Sequence, residues 1–179
     1  MRQSILTAVL LTALAARASA TTLVPAELSE LAHDAQVIAR GEVVRVDAQW
    51  TDDRRTIETV VTLATERYLK GDAGDTVQFR VPGGIMGRYR NIVVGAPQFA
   101  VGQRVVVFLG SNGPRVPHVL GLSQGVYRLG VSRAGAVLVT PPTTMPGVDG
   151  PIVRGAVNRQ PAPLAVFEHE VSALVEAAR

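Results

Sequence analysis

The chain has 179 residues, 47% of them hydrophobic and 4% aromatic, with 18 basic and 15 acidic side chains and no cysteine. That length suits one domain able to bury a core unaided, and the missing cysteines exclude disulfides. The basic residues are spread out, with only Arg54–Arg55 and Arg88/Arg90 close together; together with the scarcity of aromatics, this excludes nucleic acid as an expected partner, because phosphate binding needs clustered cations and base stacking needs aromatic platforms.

Residues 1–20 read as a secretory signal peptide. Arg2 supplies a charged start, Ile5 to Ala15 is an apolar run of 11 residues, and Ala18-Ser19-Ala20 is a small-x-small exit. The run is too short to span a bilayer, which takes about 20 residues, and no second long apolar segment follows. The mature chain is expected to begin at Thr21, to have no transmembrane segment, and to be exported to a periplasm or the medium. Arg2 and Arg17 leave with the signal, so the mature chain holds 16 basic residues against 15 acidic ones.

A short amphipathic helix is predicted over about 25–33, from Pro25 at its start and from the spacing of Leu28, Leu31 and Ala32. Gln36 to Val46 is rich in β-branched residues and reads as a strand, with Gly41 marking a bulge or bend. A polar turn at 51–55 leads to a longer strand over Thr56–Leu69, and a second turn at 70–75 to a strand over Thr76–Val81. An irregular, glycine-rich stretch then covers residues 82–103, longer than ordinary connections and therefore a candidate contact surface; within it, Asn91–Val94 pairs briefly. Arg104–Leu109 is continuously apolar after its first residue, the pattern of a strand buried on both faces. Strands are expected over Val119–Leu129 and Ala136–Thr140. Residues 141–163 form a Pro-rich extended segment, and Leu164–Arg179 reads as an amphipathic helix with Phe167, Val171, Leu174 and Val175 on one face.

Strands without intervening helices argue against a doubly wound sheet. The expected fold is mostly β: a small antiparallel OB-like barrel of about 5–6 strands (residues 21–140) with a short N-terminal helix and a C-terminal helix packed on it. The segments Asp34–Val44, Thr62–Gly71 and Phe99–Phe108 carry a resemblance to netrin-like and tissue-inhibitor-of-metalloproteinase-like OB-fold domains. The resemblance implies that fold and a protease inhibitor or protease-associated factor as one function. Its inhibitors chelate a protease zinc through an N-terminal cysteine; here the mature N-terminus is Thr21 and there is no cysteine, so that mechanism does not carry over. Pro82-Gly83-Gly84 with Val94–Phe99 also resembles uncharacterised exported bacterial proteins.

Several residue patterns invite chemical readings. Gly121-Leu122-Ser123-Gln124-Gly125 matches the nucleophile elbow of hydrolases, with Asp149 and His169 downstream in the right order. The elbow needs a helix after the serine, and Val126–Val131 is strand-like, so a bend between strands explains Ser123 more simply. His33, His118 and His169 stand in no ligand-spaced pair, and no cofactor motif follows the glycines at 83, 84 and 87. Arg88, Tyr89 and Arg90 form a potential binding lip, and Trp50, at a strand end, could cap the core or present an aromatic surface. The expectation is a non-enzymatic exported binding module with a protein partner in the exported compartment, contacting it through the 82–103 stretch.

Overall fold

β-Branched residues from Val37 onward favour an extended backbone, and they open a 14-residue strand, β1 (Val37–Trp50), which returns as an equally long β2 (Ile57–Lys70). The structure is a computed structural model describing residues 26–111, 113, 116–142 and 160–178; the segment read as a signal peptide, Asp149 and most of the Pro-rich segment lie outside the described residues. β3 (Thr76–Pro82) runs antiparallel to β2, and β4 (Gly84–Met86) and β5 (Tyr89–Asn91) make a separate hairpin. β6 (Arg104–Gly110), β7 (His118–Val119), β8 (Val126–Val131), β9 (Val137–Thr140) and β10 (Ala162–Pro163) complete the main sheet. Helix α1 (Leu28–Asp34) precedes the sheet and α2 (Leu164–Ala177) follows it.

β1 pairs with β2 along one edge and, over Val37–Glu42, with β6 along the other. β6 pairs with β7, and β7 meets β3 in a parallel pairing of Arg80 with His118. The pairings β1–β2–β3–β7–β6 therefore lead back to β1, while β8, β9 and β10 extend outward from β6. The register of β1 against β2 slips between Arg40 and Gly41. A Cβ on Gly41 would stand 2.0 Å from the carbonyl oxygen of Ala64, so only glycine lets the two backbones approach this closely.

The expectation of a mostly β chain with two flanking helices holds, and the strand count differs. Ten strands occur among the described residues, because β4, β5, β7 and β10 are two or three residues long, too short to leave a period-two signature. The expected strand over 119–129 is interrupted: the backbone turns through positive φ at Gly121 (58°) and Leu122 (55°) into a 3-10 turn, Leu122–Gly125, before β8 begins. Asn91 ends β5, while Ile92–Val94 stay outside the strands. Helix α1 starts at Leu28, later than expected, after the Glu27 amide donates to Glu30 Oε2 at 2.9 Å.

β6 explains why its sequence is continuously apolar. Val105, Val107 and Leu109 face a core shared with Ala39, Val43, Val61, Leu63, Phe79 and Val81. Val106 and Phe108 face a second core, with Ile38, Tyr127 and Val139, that is covered by Leu31 of α1 and by Phe167, Val171 and Val175 of α2. The apolar face read from the α2 sequence is therefore the buried one, with Leu174 partly buried beside it.

One helical carboxylate reaches the sheet. Arg40 of β1 and Arg67 of β2 stand directly opposite each other, a like-charge pairing that destabilises a sheet unless it is compensated. Buried Glu168 of α2 supplies the compensation, with Oε1 2.5 Å from Arg40 and Oε2 3.0 Å from Arg67. Glu66 takes both hydrogen bonds of Arg104, at 2.8 and 2.6 Å. Arg40 Nε lies 3.0 Å from the same carboxylate but makes no hydrogen bond, so that contact is ionic. The Arg104 hydrogen bonds hold the Glu66 carboxyl below its ordinary value of 4.5, with the charges of Arg104 and Arg40 acting in the same direction.

Two outcomes follow from this network. Glu168→Ala leaves Arg67 without its carboxylate and Arg40 with Glu66 alone, and is expected to cost about 2 kcal/mol. Glu170→Ala, on the exposed side of the same helix, should stay within about 0.5 kcal/mol; equal urea midpoints for the two variants would refute the role given to Glu168. Because the folded-state pKa of Glu66 is depressed, its contribution is complete above pH 4.5 and is lost as pH falls through that value toward the folded pKa. The Glu66→Gln variant should therefore lose less stability than the parent on acidification below pH 4.5, as read by denaturation midpoints across that range.

Candidate functional site

The turn joining β1 to β2 is built from its own side chains. Thr51 Oγ1 donates to Asp53 Oδ1 at 2.6 Å, the Arg55 amide donates to the same oxygen at 3.1 Å, and Arg54 takes a positive φ of 55°. The Thr51 bond, followed by the Arg55 amide, holds the Asp53 carboxyl below its ordinary range, so it is ionised at neutral pH. This turn fixes Trp50, the last residue of β1, beside the β4–β5 hairpin.

The hairpin is anchored at its base. Gly83 adopts a φ of 92°, and a Cβ there would stand 3.0 Å from the Asn91 carbonyl oxygen, so glycine is needed where the chain leaves β3. The Gly83 amide donates to the Ile57 carbonyl at 3.0 Å, and Asn91 Nδ2 donates to the same carbonyl at 3.2 Å. Thr59 Oγ1 donates to the Gly83 carbonyl at 2.7 Å. Above this base, Ile85 faces Arg90 and Met86 faces Tyr89.

At the tip, the Tyr89 ring meets Trp50 edge-on, with centroids 5.4 Å apart and planes at 67°. Arg88 lies over the same tyrosine, its Cζ 5.0 Å from the ring centre, and donates to the Tyr89 hydroxyl at 2.9 Å. The structure thus brings Trp50, Arg88 and Tyr89 into one cluster. Arg90 instead lines a groove of about 510 Å³ between the hairpin and the sheet, with Ile85, Ile92, Val93 and Phe99 among its walls.

A second groove, of about 530 Å³, opens on the other side of the hairpin base, where Thr51, Thr56, Asn91 and His118 surround Glu58 and Arg80. Glu58 is buried; its Oε1 accepts from Gln49 Nε2 at 2.9 Å and lies 3.3 Å from Arg80. Arg80 also lies 3.9 Å from Asp52, and its Nε is buried without a hydrogen-bond partner. Sequence reasoning passed over Glu58 and Arg80. Each is a single charge in an alternating strand, and only the register places Arg80 opposite Val60 and next to the Glu58 side of the sheet.

The hydrolase pattern is not assembled. Ser123 lies in the 3-10 turn, its amide donating to the Gly95 carbonyl at 3.0 Å, and strand β8 follows where the elbow requires a helix. His169 is exposed on α2, and among the described residues no hydrogen bond joins it to Ser123; Asp149 is not among them. Among the described residues no group of three or more His, Asp or Glu could hold a metal ion, and no helix is long and apolar enough to cross a membrane.

No protein-family model matches the chain, and no curated protein sequence matches it.

The aromatic contact has a direct readout, because Trp50 is the sole tryptophan. Tyr89→Ala should change Trp50 emission and cost about 1 kcal/mol, the worth of an edge-to-face pair. An unchanged spectrum and an unchanged urea midpoint would show that the pair does not persist in solution.

Proposed function

We propose that the chain is an exported, non-enzymatic binding module on an OB-like barrel, and that the β4–β5 hairpin with Trp50 is its contact surface. Support for the barrel comes from the pairings: β1 bonded on both edges, β3 meeting β7 in a parallel pair, and a register slip at Gly41. In such folds ligands are commonly met by the face of the second and third strands and the loops beside it. Here the hairpin, the 51–56 turn and both grooves gather at the ends of those strands, where β2 starts and β3 stops. Support for export comes from the sequence of residues 1–20, as argued above.

The observation that carries the functional reading is the exposure of the hairpin. Ile85, Met86 and Tyr89 remain open to solvent on a hairpin whose base is tied down by hydrogen bonds. Contiguous exposed apolar side chains on an ordered element mark interaction sites.

The test is retention of material from the native exported fraction by tagged mature protein, compared with an Arg88→Ala/Tyr89→Ala/Arg90→Ala variant. The parent should retain a specific component and the variant should lose most of it. Equal retention by both would overturn the assignment of the surface.

A further inference from the structure

We propose that the β4–β5 hairpin and the three residues after it, residues 84–94 with Trp50 alongside, dock on an anionic lipid surface. The inference rests on the reading of this hairpin as the contact surface and names what it contacts.

Charge is the first reason. Residues 82–103 contain two arginines, Arg88 and Arg90, and not one aspartate or glutamate, although acidic residues make up 15 of the whole chain. In the adjoining 51–55 turn Asp52 and Asp53 are matched by Arg54 and Arg55, so the surface around Trp50 keeps the positive sign of the acid-free stretch and complements a negative one.

Exposure is the second. Ile85 is 63% exposed, Ile92 67%, Val94 83%, Tyr89 48% and Met86 37%. Exposed aliphatic side chains on the hairpin and in the segment directly after it, in company with tyrosine, tryptophan and arginine, suit the boundary between headgroups and acyl chains. The aliphatic groups enter the apolar side, the aromatic rings sit at the interface, and the arginine stems reach back to phosphates.

The size of the surface favours lipid over a folded protein partner. Protein interfaces engage about 20–30 residues a side and are fixed by directional hydrogen bonds. Residues 84–94 are 11 in number, fewer than such a footprint, and the Asn91 amide is already bonded to the Ile57 carbonyl. A fluid surface needs no fixed partner geometry, only apolar area and opposite charge.

The chain supplies its own probe, since its single tryptophan touches Tyr89 of the tip. The exported form of the protein is mixed with vesicles of phosphatidylcholine containing phosphatidylglycerol, and separately with phosphatidylcholine alone. Binding is read by flotation and by Trp50 emission. The expected result is co-flotation and a blue shift with the anionic vesicles only, weakened by added salt. Replacing both arginines, Arg88→Gln with Arg90→Gln, should weaken binding roughly thirtyfold, about fivefold for each cation lost. Ile85→Ser with Met86→Ser should abolish the blue shift. All four positions are exposed, so the variants should keep the parent urea midpoint. No flotation of the parent with anionic vesicles overturns the proposal. A hairpin-dependent protein partner without vesicle binding overturns the lipid assignment and leaves the contact surface standing. Vesicle binding that survives both double variants overturns both.

Discussion

The fold depends on a single strand serving two neighbours. β1 hydrogen-bonds to β2 on one edge and to β6 on the other, and these three strands supply most of the inner core. A flat sheet could offer β1 two partners, but it could not also bring β3 and β7 together at Arg80 and His118. The sheet has to curl, and the register of β1 against β2 slips at three places, one of them at Gly41. The Ala64 carbonyl lies where a side chain would begin, so the absence of a Cβ is what lets β1 approach β2 this closely while it also pairs with β6.

Curling leaves the outer surface of β1 and β6 apolar and uncovered, and the helices resolve this. Ile38, Val106 and Phe108 point away from the inner core and are covered by α1 and α2. Hydrophobic contact sets no register by itself, since a helix can slide along an apolar face. The Arg40–Arg67 pair does set one, because only a carboxylate at the position of Glu168 can neutralise both cations. The pair and the carboxylate are separately unfavourable, one as facing like charges and the other as a buried anion, and each removes the other's penalty. The electrostatics therefore specify where α2 sits more than they add to net stability.

The sequence was legible where side-chain periodicity and burial coincide. The continuous apolar run of β6, the face of α2 carrying Phe167, Val171 and Val175, and the irregularity of β1 at Gly41 were all readable in advance. Pairing partners were not, because nothing local to Arg40 shows that Arg67 will stand opposite it or that Glu168 will arrive from the far end of the chain. The same limit hid Glu58 and Arg80. Pieces such as β7 and β10 are too short to carry a pattern, and the turn at 122–125 depends on backbone dihedrals at Gly121 and Leu122 that a β-like sequence conceals. At the candidate site, the arginine–tyrosine lip could be read from its residue types, whereas its contact with Trp50, about 40 residues earlier, is a consequence of the hairpin folding back over the end of β1.

An isolated two-stranded hairpin of three-residue strands is not stable in water, so β4–β5 persists because its base is fixed by Gly83, Asn91 and Thr59. Those bonds use the backbone and the first and last positions of the hairpin; they make no demand on Ile85, Met86, Arg88 or Arg90. Folding alone would tolerate small polar residues at these tip positions, and solubility would favour them. Apolar and cationic side chains occur there instead, on a support that already holds them in place, so contact would cost little further ordering of the backbone. A composition that folding does not require, displayed on an element whose base folding has tied down, is the physical ground for proposing this hairpin as a contact surface.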